Sequence, residues 1–206
     1  MRTPYIYSGK VLKGLFCLSL SFPGYRIMIE EELIEKVNAL IEINNFYHKC
    51  IPSVHTHRIE KIKTKAMTKE DWEKIKWFGP GENWGNPERM DSLLIFYLDK
   101  LREFIGHKII IHCGTQGNHT ELSYHYTIPC KATDCHAEGM SLLDFYLAAE
   151  RFDFGGIGVY PTWHFPGLHL DTRPIEVNSP GARWGRVHNL YTILNDEFIK
   201  KYLIKE

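Results

Sequence analysis

The chain has 206 residues, 25 basic against 25 acidic, with 44% of positions hydrophobic and 24% charged. This is the profile of a globular protein long enough to bury a core without disulfide staples, as one domain with an appendage. The balanced charge offers neither a basic face for nucleic acid nor a charged tail, so no nucleic-acid partner is expected. No apolar run reaches the roughly 18 residues of a membrane-spanning helix.

Residues 1–28 have no clear periodicity. Within them 11–23, VLKGLFCLSLSFP, is a short apolar stretch behind Arg2 and Lys10. It reads either as a weak export signal, lacking a small-x-small cleavage site, or as a plain buried segment. Residues 29–47 place Leu33, Val37, Leu40 and Ile41 at helical spacing with acids in the first turn, which predicts an amphipathic helix. His55 and His57 in VHTHR read as surface loop or strand. Residues 1–65 therefore form an N-terminal extension to a main domain over 66–206.

In that domain Thr68, followed by Glu70 and Asp71, marks a helix start, and GPGENWGNPERMD is a loop. Residues 90–105 predict a helix stopped by Gly106. Strands are expected at 108–112 and at 130–136, where Ala132, Asp134 and His136 share a face. A helix at 140–151 follows, then strands in FGGIGVYP and in GLHLDTRP, the latter closed by Pro174, and a helix over 188–204. The order predicts an α+β fold, a small antiparallel sheet with flanking helices.

Cys17, Cys50, Cys113, Cys130 and Cys135 form an odd set with no CxxC pair, which argues against a thiolate zinc cluster. Those near the middle of the chain read as small buried hydrophobes, with a disulfide from Cys130 left open. The eleven histidines stand out, because imidazole is the commonest metal ligand. A catalytic zinc site needs three nitrogen or oxygen ligands and one open position. No HExxH helix is present. The chain offers instead SYHYTIPCKATD, with Ser123, His125 and Asp134, and later GIGVYPTWHFPGLHLDTR. On a strand, His169 and Asp171 project to one face, and Asp134 sits mid-strand, where a buried carboxylate needs a partner.

Taken in order, S-x-H…A-x-D, G-I-G-x-Y-P and H-x-D-x-R resemble the zinc D-alanyl-D-alanine carboxypeptidases and related peptidoglycan endopeptidases, of hedgehog/D,D-peptidase fold. The resemblance spans 67–184, including the helix and strand before the site and ARW at 182–184. It implies one zinc ion on His125, Asp134 and His169, and attack of an activated water on a wall-peptide carbonyl. It further implies Ser123 as a hydrogen bonder behind the ligands and Arg173 as a support for the strand or a carboxylate. With that substrate come a cell envelope or periplasmic location, or a phage-encoded lysin, and a monomeric protein.

Three features differ from the family pattern. The segment from His125 to Asp134 is two residues longer. The turn after KIIIHCG reads TQGNH, without the basic residue that holds substrate carboxylate, leaving His119 or Gln116 as stand-ins. Pro166 occupies the position of an acidic base. The catalytic candidates are therefore His164 and Asp171. His164 serves as base, oxyanion stabiliser or plain loop histidine; Asp171 serves as base, as partner of Arg173 or as orienter of a ligand. His136 and Trp163 are expected beside the pocket, whereas His107, His112 and His188 are read as uninvolved. The competing reading is a noncatalytic zinc-containing wall-binding module of the same fold.

Overall fold

A computed structural model describes residues 64–117, 119–175 and 181–204. The expectations for the apolar stretch, the helix over 29–47 and the HxH pair lie outside the described residues.

Local chemistry sets each helix boundary. Helix α1 (Lys69–Trp72) starts at a capping box: Thr68 Oγ1 accepts from the Asp71 amide at 3.2 Å, and Asp71 accepts from the Thr68 amide at 3.1 Å. Helix α2 (Ser92–Ile105) is capped by Asp91, which accepts from the Leu93 amide at 2.9 Å. It ends where Gly106 turns left-handed, at φ 67°. Its Leu94, Ile95, Leu98 and Leu101 make one fully buried stripe. Helix α3 (Leu142–Ala149) is capped by Ser141.

The strands are β1 (Ile109–Cys113), β2 (Ala132–Ala137), β3 (Gly156–Tyr160), β4 (Gly167–Asp171), β5 (Ala182–Val187) and β6 (Leu190–Ile193). They form one sheet in the order β1-β2-β4-β3-β5-β6. The fold is α+β as expected, but the sheet is mixed rather than wholly antiparallel. After the β3–β4 hairpin the chain passes β3 and joins its far edge, so β5 runs parallel to β3. Strand patterning alone carries no information about which edge a returning segment takes.

The expected single helix over 188–204 is also corrected. His188 and Asn189 both adopt positive φ, 46° and 69°, and close a two-residue β5–β6 hairpin. Only after Asn195 caps it does a short helix, α4 (Asp196–Tyr202), follow. Leu190 and Ile193 mimic a helical stripe by spacing, yet both are exposed on the edge strand.

Alternation across the strands divides the sheet into two chemically distinct faces. Ile109, Ile111, Cys135, Ile157, Val159, Leu168 and Leu170 join the α2 and α3 residues in one apolar core. The intervening residues, Asp134, His169, Asp171, Gly158 and Trp184, belong to the opposite face. Register aligns them: Asp134 pairs with His169, His169 with Gly158, and Gly158 with Trp184. Gly158 is required here, because a Cβ on it would lie 2.6 Å from the Trp184 ring. Gly156 is required likewise, because a Cβ would overlap the Asp171 carboxylate.

Candidate metal centre

Strand register brings Asp134 on β2 and His169 on β4 side by side, and the loop between β1 and β2 delivers His125. Asp134 Oδ1 lies 3.0 Å from His169 Nδ1 and 3.5 Å from His125 Nε2, and the two imidazole nitrogens are 3.2 Å apart. Both histidines are buried.

The far side of each ring determines what faces the centre. His125 Nδ1 donates to the Gly114 carbonyl at 2.6 Å, so its Nε2 presents a lone pair inward. His169 Nε2 donates to Asp171 Oδ2 at 3.0 Å, so its Nδ1 does the same. With both imidazoles neutral, two lone pairs and a carboxylate oxygen point at one spot, an arrangement that is repulsive unless a proton or a metal ion sits among them. A tetrahedral zinc site has about 3.3–3.6 Å between ligand atoms when each lies roughly 2.0–2.2 Å from the ion. Of the three observed separations, 3.5 Å falls within that spacing and 3.0 and 3.2 Å lie slightly below it. His125, Asp134 and His169 can hold a metal ion.

The protonation energetics express the same demand for positive charge. Burial opposes charging of His125, but its bonds with Asp134, Cys113 and Cys130 together outweigh this and push its pKa up to about 12. His169 is raised for the same reasons, burial opposing and the bonds to Asp134 and Asp171 prevailing. Burial likewise opposes ionisation of Asp134, yet the two imidazoles hold it well below the usual carboxylate range.

The remaining expected residues are placed as follows. Asp171 is fully buried and both of its oxygens are engaged, by His169 and by the Arg173 amide and guanidinium. Asp171 thus contacts both Arg173 and His169, and neither of its oxygens is free. Arg173 also lies over the Tyr124 and Trp184 rings, 4.6 and 5.1 Å from their centroids. Ser123 Oγ accepts from the His125 main-chain amide at 3.3 Å, so it fixes the backbone rather than the ring.

His164, Trp163 and Phe165 line a second hollow with His112 and Asp134. His164 is exposed there. Trp163 packs on Tyr160 with centroids 4.2 Å apart. His136 hydrogen-bonds His112, with 2.6 Å between nitrogens, and its ring stacks on Phe165. His112, read from the sequence as uninvolved, is therefore part of the pocket wall. A register shift between Ile111 and Cys113 makes it the extra residue of a bulge, a local event that strand propensity does not reveal.

Cys113, read from the sequence as a small buried hydrophobe, and His119, read as a stand-in for a carboxylate-holding residue, lie instead behind His125. The His119 ring stacks on His125 at 4.2 Å with 5° between planes. Cys113 Sγ lies 3.4 Å from His119 Nε2 and 3.9 Å from His125 Nδ1, so these three form a second group able to hold a metal. Their polar atoms already serve carbonyl oxygens, those of Gln116 and Gly114. The group therefore clamps His125 from behind. The one available signal was the Cys113–His119 spacing in HCGTQGNH. Cys130 and Cys135 are buried free thiols, as the small-hydrophobe reading has it, and Cys113 is a half-buried one.

Above the centre lies a cleft of about 370 Å³ walled by Tyr124, Tyr160, Trp184, Arg186 and Tyr191. Among the described residues Asp134 is the only carboxylate in its lining. Among the described residues, no helix is long and apolar enough to cross a membrane. Comparison with protein-family models, with characterised proteins and with solved structures gave no match.

Proposed function

We propose that this domain is a zinc metallopeptidase of the D-alanyl-D-alanine carboxypeptidase and peptidoglycan endopeptidase type, acting on wall stem peptides. The observation that carries the reading is the convergence of two imidazole lone pairs and one carboxylate oxygen within 3.0–3.5 Å of each other. The N₂O donor set suits zinc better than magnesium or calcium, which take oxygen ligands. His125, Asp134 and His169 would hold the ion, with one position open to the cleft. Bound zinc would supply Lewis acidity and a water whose pKa falls toward ~7.

The chain's own groups do the rest. Gly114 and Asp171 fix the tautomers of the two histidines. The aromatic walls hold the peptide and exclude water. His164, exposed beside Asp134, is the candidate to carry a proton to or from the reacting groups. An envelope, periplasmic or phage-lysin setting goes with that substrate class.

One observation favours the second reading, a noncatalytic zinc-containing wall-binding module. Among the described residues the cleft holds no carboxylate besides Asp134, so none of them supplies a carboxylate base. Two measurements decide. Metal analysis of the purified protein is expected to find one zinc per chain, lost in His125→Ala and His169→Ala; absence of stoichiometric zinc refutes both readings. Mass spectrometry of digested peptidoglycan is then expected to show released D-alanine or cut muropeptides, with a large loss in His164→Ala. Zinc without products assigns the module.

A further inference from the structure

Behind His125 the end of β1 and the loop after it gather a thiol and a second imidazole. Plain alternation would send Cys113 to the core after Ile109 and Ile111. The register shift between Ile111 and Cys113 instead pairs it with Asp134, on the face that carries the ligands. Gly117, at φ 102°, lets the loop bring His119 back over Cys113, since a Cβ there would lie 3.0 Å from His119 Nε2. The donor atoms of Cys113, His119 and His125 lie within 4.8 Å of one another. Cys113 Sγ stands 3.4 Å from His119 Nε2 and 3.9 Å from His125 Nδ1. With metal bonds of about 2.3 Å to sulfur and 2.0 Å to nitrogen, such donors stand roughly 3.5–3.7 Å apart. One separation is just below that and the other just above.

We propose that Cys113, His119 and His125 form a site for a soft monovalent cation of the copper(I) class, and that filling it opposes zinc at the front centre. The site goes beyond the peptidase reading, because it needs only the placement of the His125 ring. One sulfur and two imidazoles suit copper, whereas the front set of two imidazoles and a carboxylate suits zinc. Charge favours a monovalent ion. A thiolate and a monovalent cation sum to zero in this half-buried place, whereas a divalent ion would leave a net positive charge close to the front metal. Softness is needed too. An entering ion displaces the Gln116 and Gly114 carbonyls and draws the His119 ring out of its stack on His125. Only a strong metal–sulfur bond offsets that.

The antagonism comes from one ring serving two sides. A neutral imidazole has one lone pair. The front centre uses His125 Nε2, with the Nδ1 proton on the Gly114 carbonyl. The rear site uses Nδ1, so the proton moves to Nε2, where Asp134 Oδ1 lies 3.5 Å away. The front centre then loses a ligand. The proton balance closes: the Cys113 thiol proton leaves to solvent, while His125 and His119 each move a proton to the other ring nitrogen. No electron is transferred. By reciprocity, zinc in front weakens the rear site by the same factor.

The test uses the full chain carrying Cys17→Ser and Cys50→Ser, so that thiols outside the described residues do not compete. Copper(I) is supplied without oxygen, against a chromophoric chelator. One copper per chain is expected, lost on adding Cys113→Ser or His119→Ala. X-ray absorption at the copper edge is expected to show one sulfur and two imidazole nitrogens. Copper(I) is expected to weaken zinc affinity at least about tenfold, an effect absent in Cys113→Ser. No bound copper, copper held without sulfur, or zinc affinity indifferent to copper overturns the proposal. The absorption spectrum is read with all three ligands intact, so it decides even if a variant fails to fold. Failure of the peptidase reading looks different, as missing zinc or missing wall products, and leaves the copper spectrum readable.

Discussion

Replacing Asp171 by Asn tests whether the tautomer of His169 is what makes the centre a metal site. In the wild-type chain Asp171 accepts from His169 Nε2 at 3.0 Å, from the Arg173 amide at 3.0 Å and from Arg173 Nε at 2.8 Å. An amide has one acceptor oxygen where the carboxylate has two, and every neighbour is a donor. If the oxygen stays on Arg173, the amide NH₂ faces His169 Nε2 and forces the proton onto Nδ1, where the metal needs a lone pair. If it stays on His169, the NH₂ opposes the Arg173 donors. Either outcome weakens the centre. Outer partners of histidine ligands contribute about 10–100-fold to metal affinity, so zinc affinity is expected to fall by about that factor. Breaking a buried ion pair costs about 3–5 kcal/mol, and the retained oxygen of Asn places the loss of apo-protein stability at or below the lower end. Competition against a chromophoric chelator reads the first quantity and urea unfolding of metal-free protein the second. A variant that holds zinc as tightly as wild type refutes the tautomer argument.

Acid sensitivity should follow from the same residue. Burial opposes ionisation of Asp171, but the bonds from His169 and Arg173 lower its pKa to about 2, so its contribution is complete above about 3.9 and lost as pH falls toward 2; unfolding midpoints measured from pH 5 to 2 should show a drop that is smaller in Asp171→Asn, with Asp134 supplying the remainder. His125 has the opposite sign. With its folded pKa raised to about 12, its contribution in metal-free protein is complete below the unfolded value of about 6.5 and declines as pH rises above it; chelator-treated protein should be less stable at pH 8.5 than at pH 6, and zinc should reverse the trend because ligands bind metal deprotonated. Gly158→Ala places a Cβ 2.6 Å from the Trp184 ring, so stability should fall by about 1–3 kcal/mol in urea titrations; an unchanged midpoint refutes the close-packing account of GIG. The double variant Cys113→Ala/His119→Ala should still bind one zinc per chain by atomic emission, and loss of that ion would assign the second group a direct role.

The sequence determined the helices best. The Thr68 box, the α2 stripe and the Gly106 stop are local features, set by residues within one or two turns of each other. It also placed the strands that carry the ligands, because alternation is legible in ATDCHA and GLHLD. What it could not decide was pairing. The parallel joining of β5 to β3, the bulge that turns out His112 and the hairpin at His188 and Asn189 depend on contacts between distant segments. The same holds at the site. His125, Asp134 and His169 were legible as a donor set in a familiar order, whereas their mutual distances, the bonds that fix both tautomers and the engagement of Asp171 are tertiary facts. Arg186 shows the limit most plainly. Its residue type is in the sequence, but whether an arginine is neutralised depends on which carboxylate the fold brings to it. Arg173 and Arg183 meet Asp171 and Glu150, whereas among the described residues Arg186 meets tyrosine faces and an asparagine.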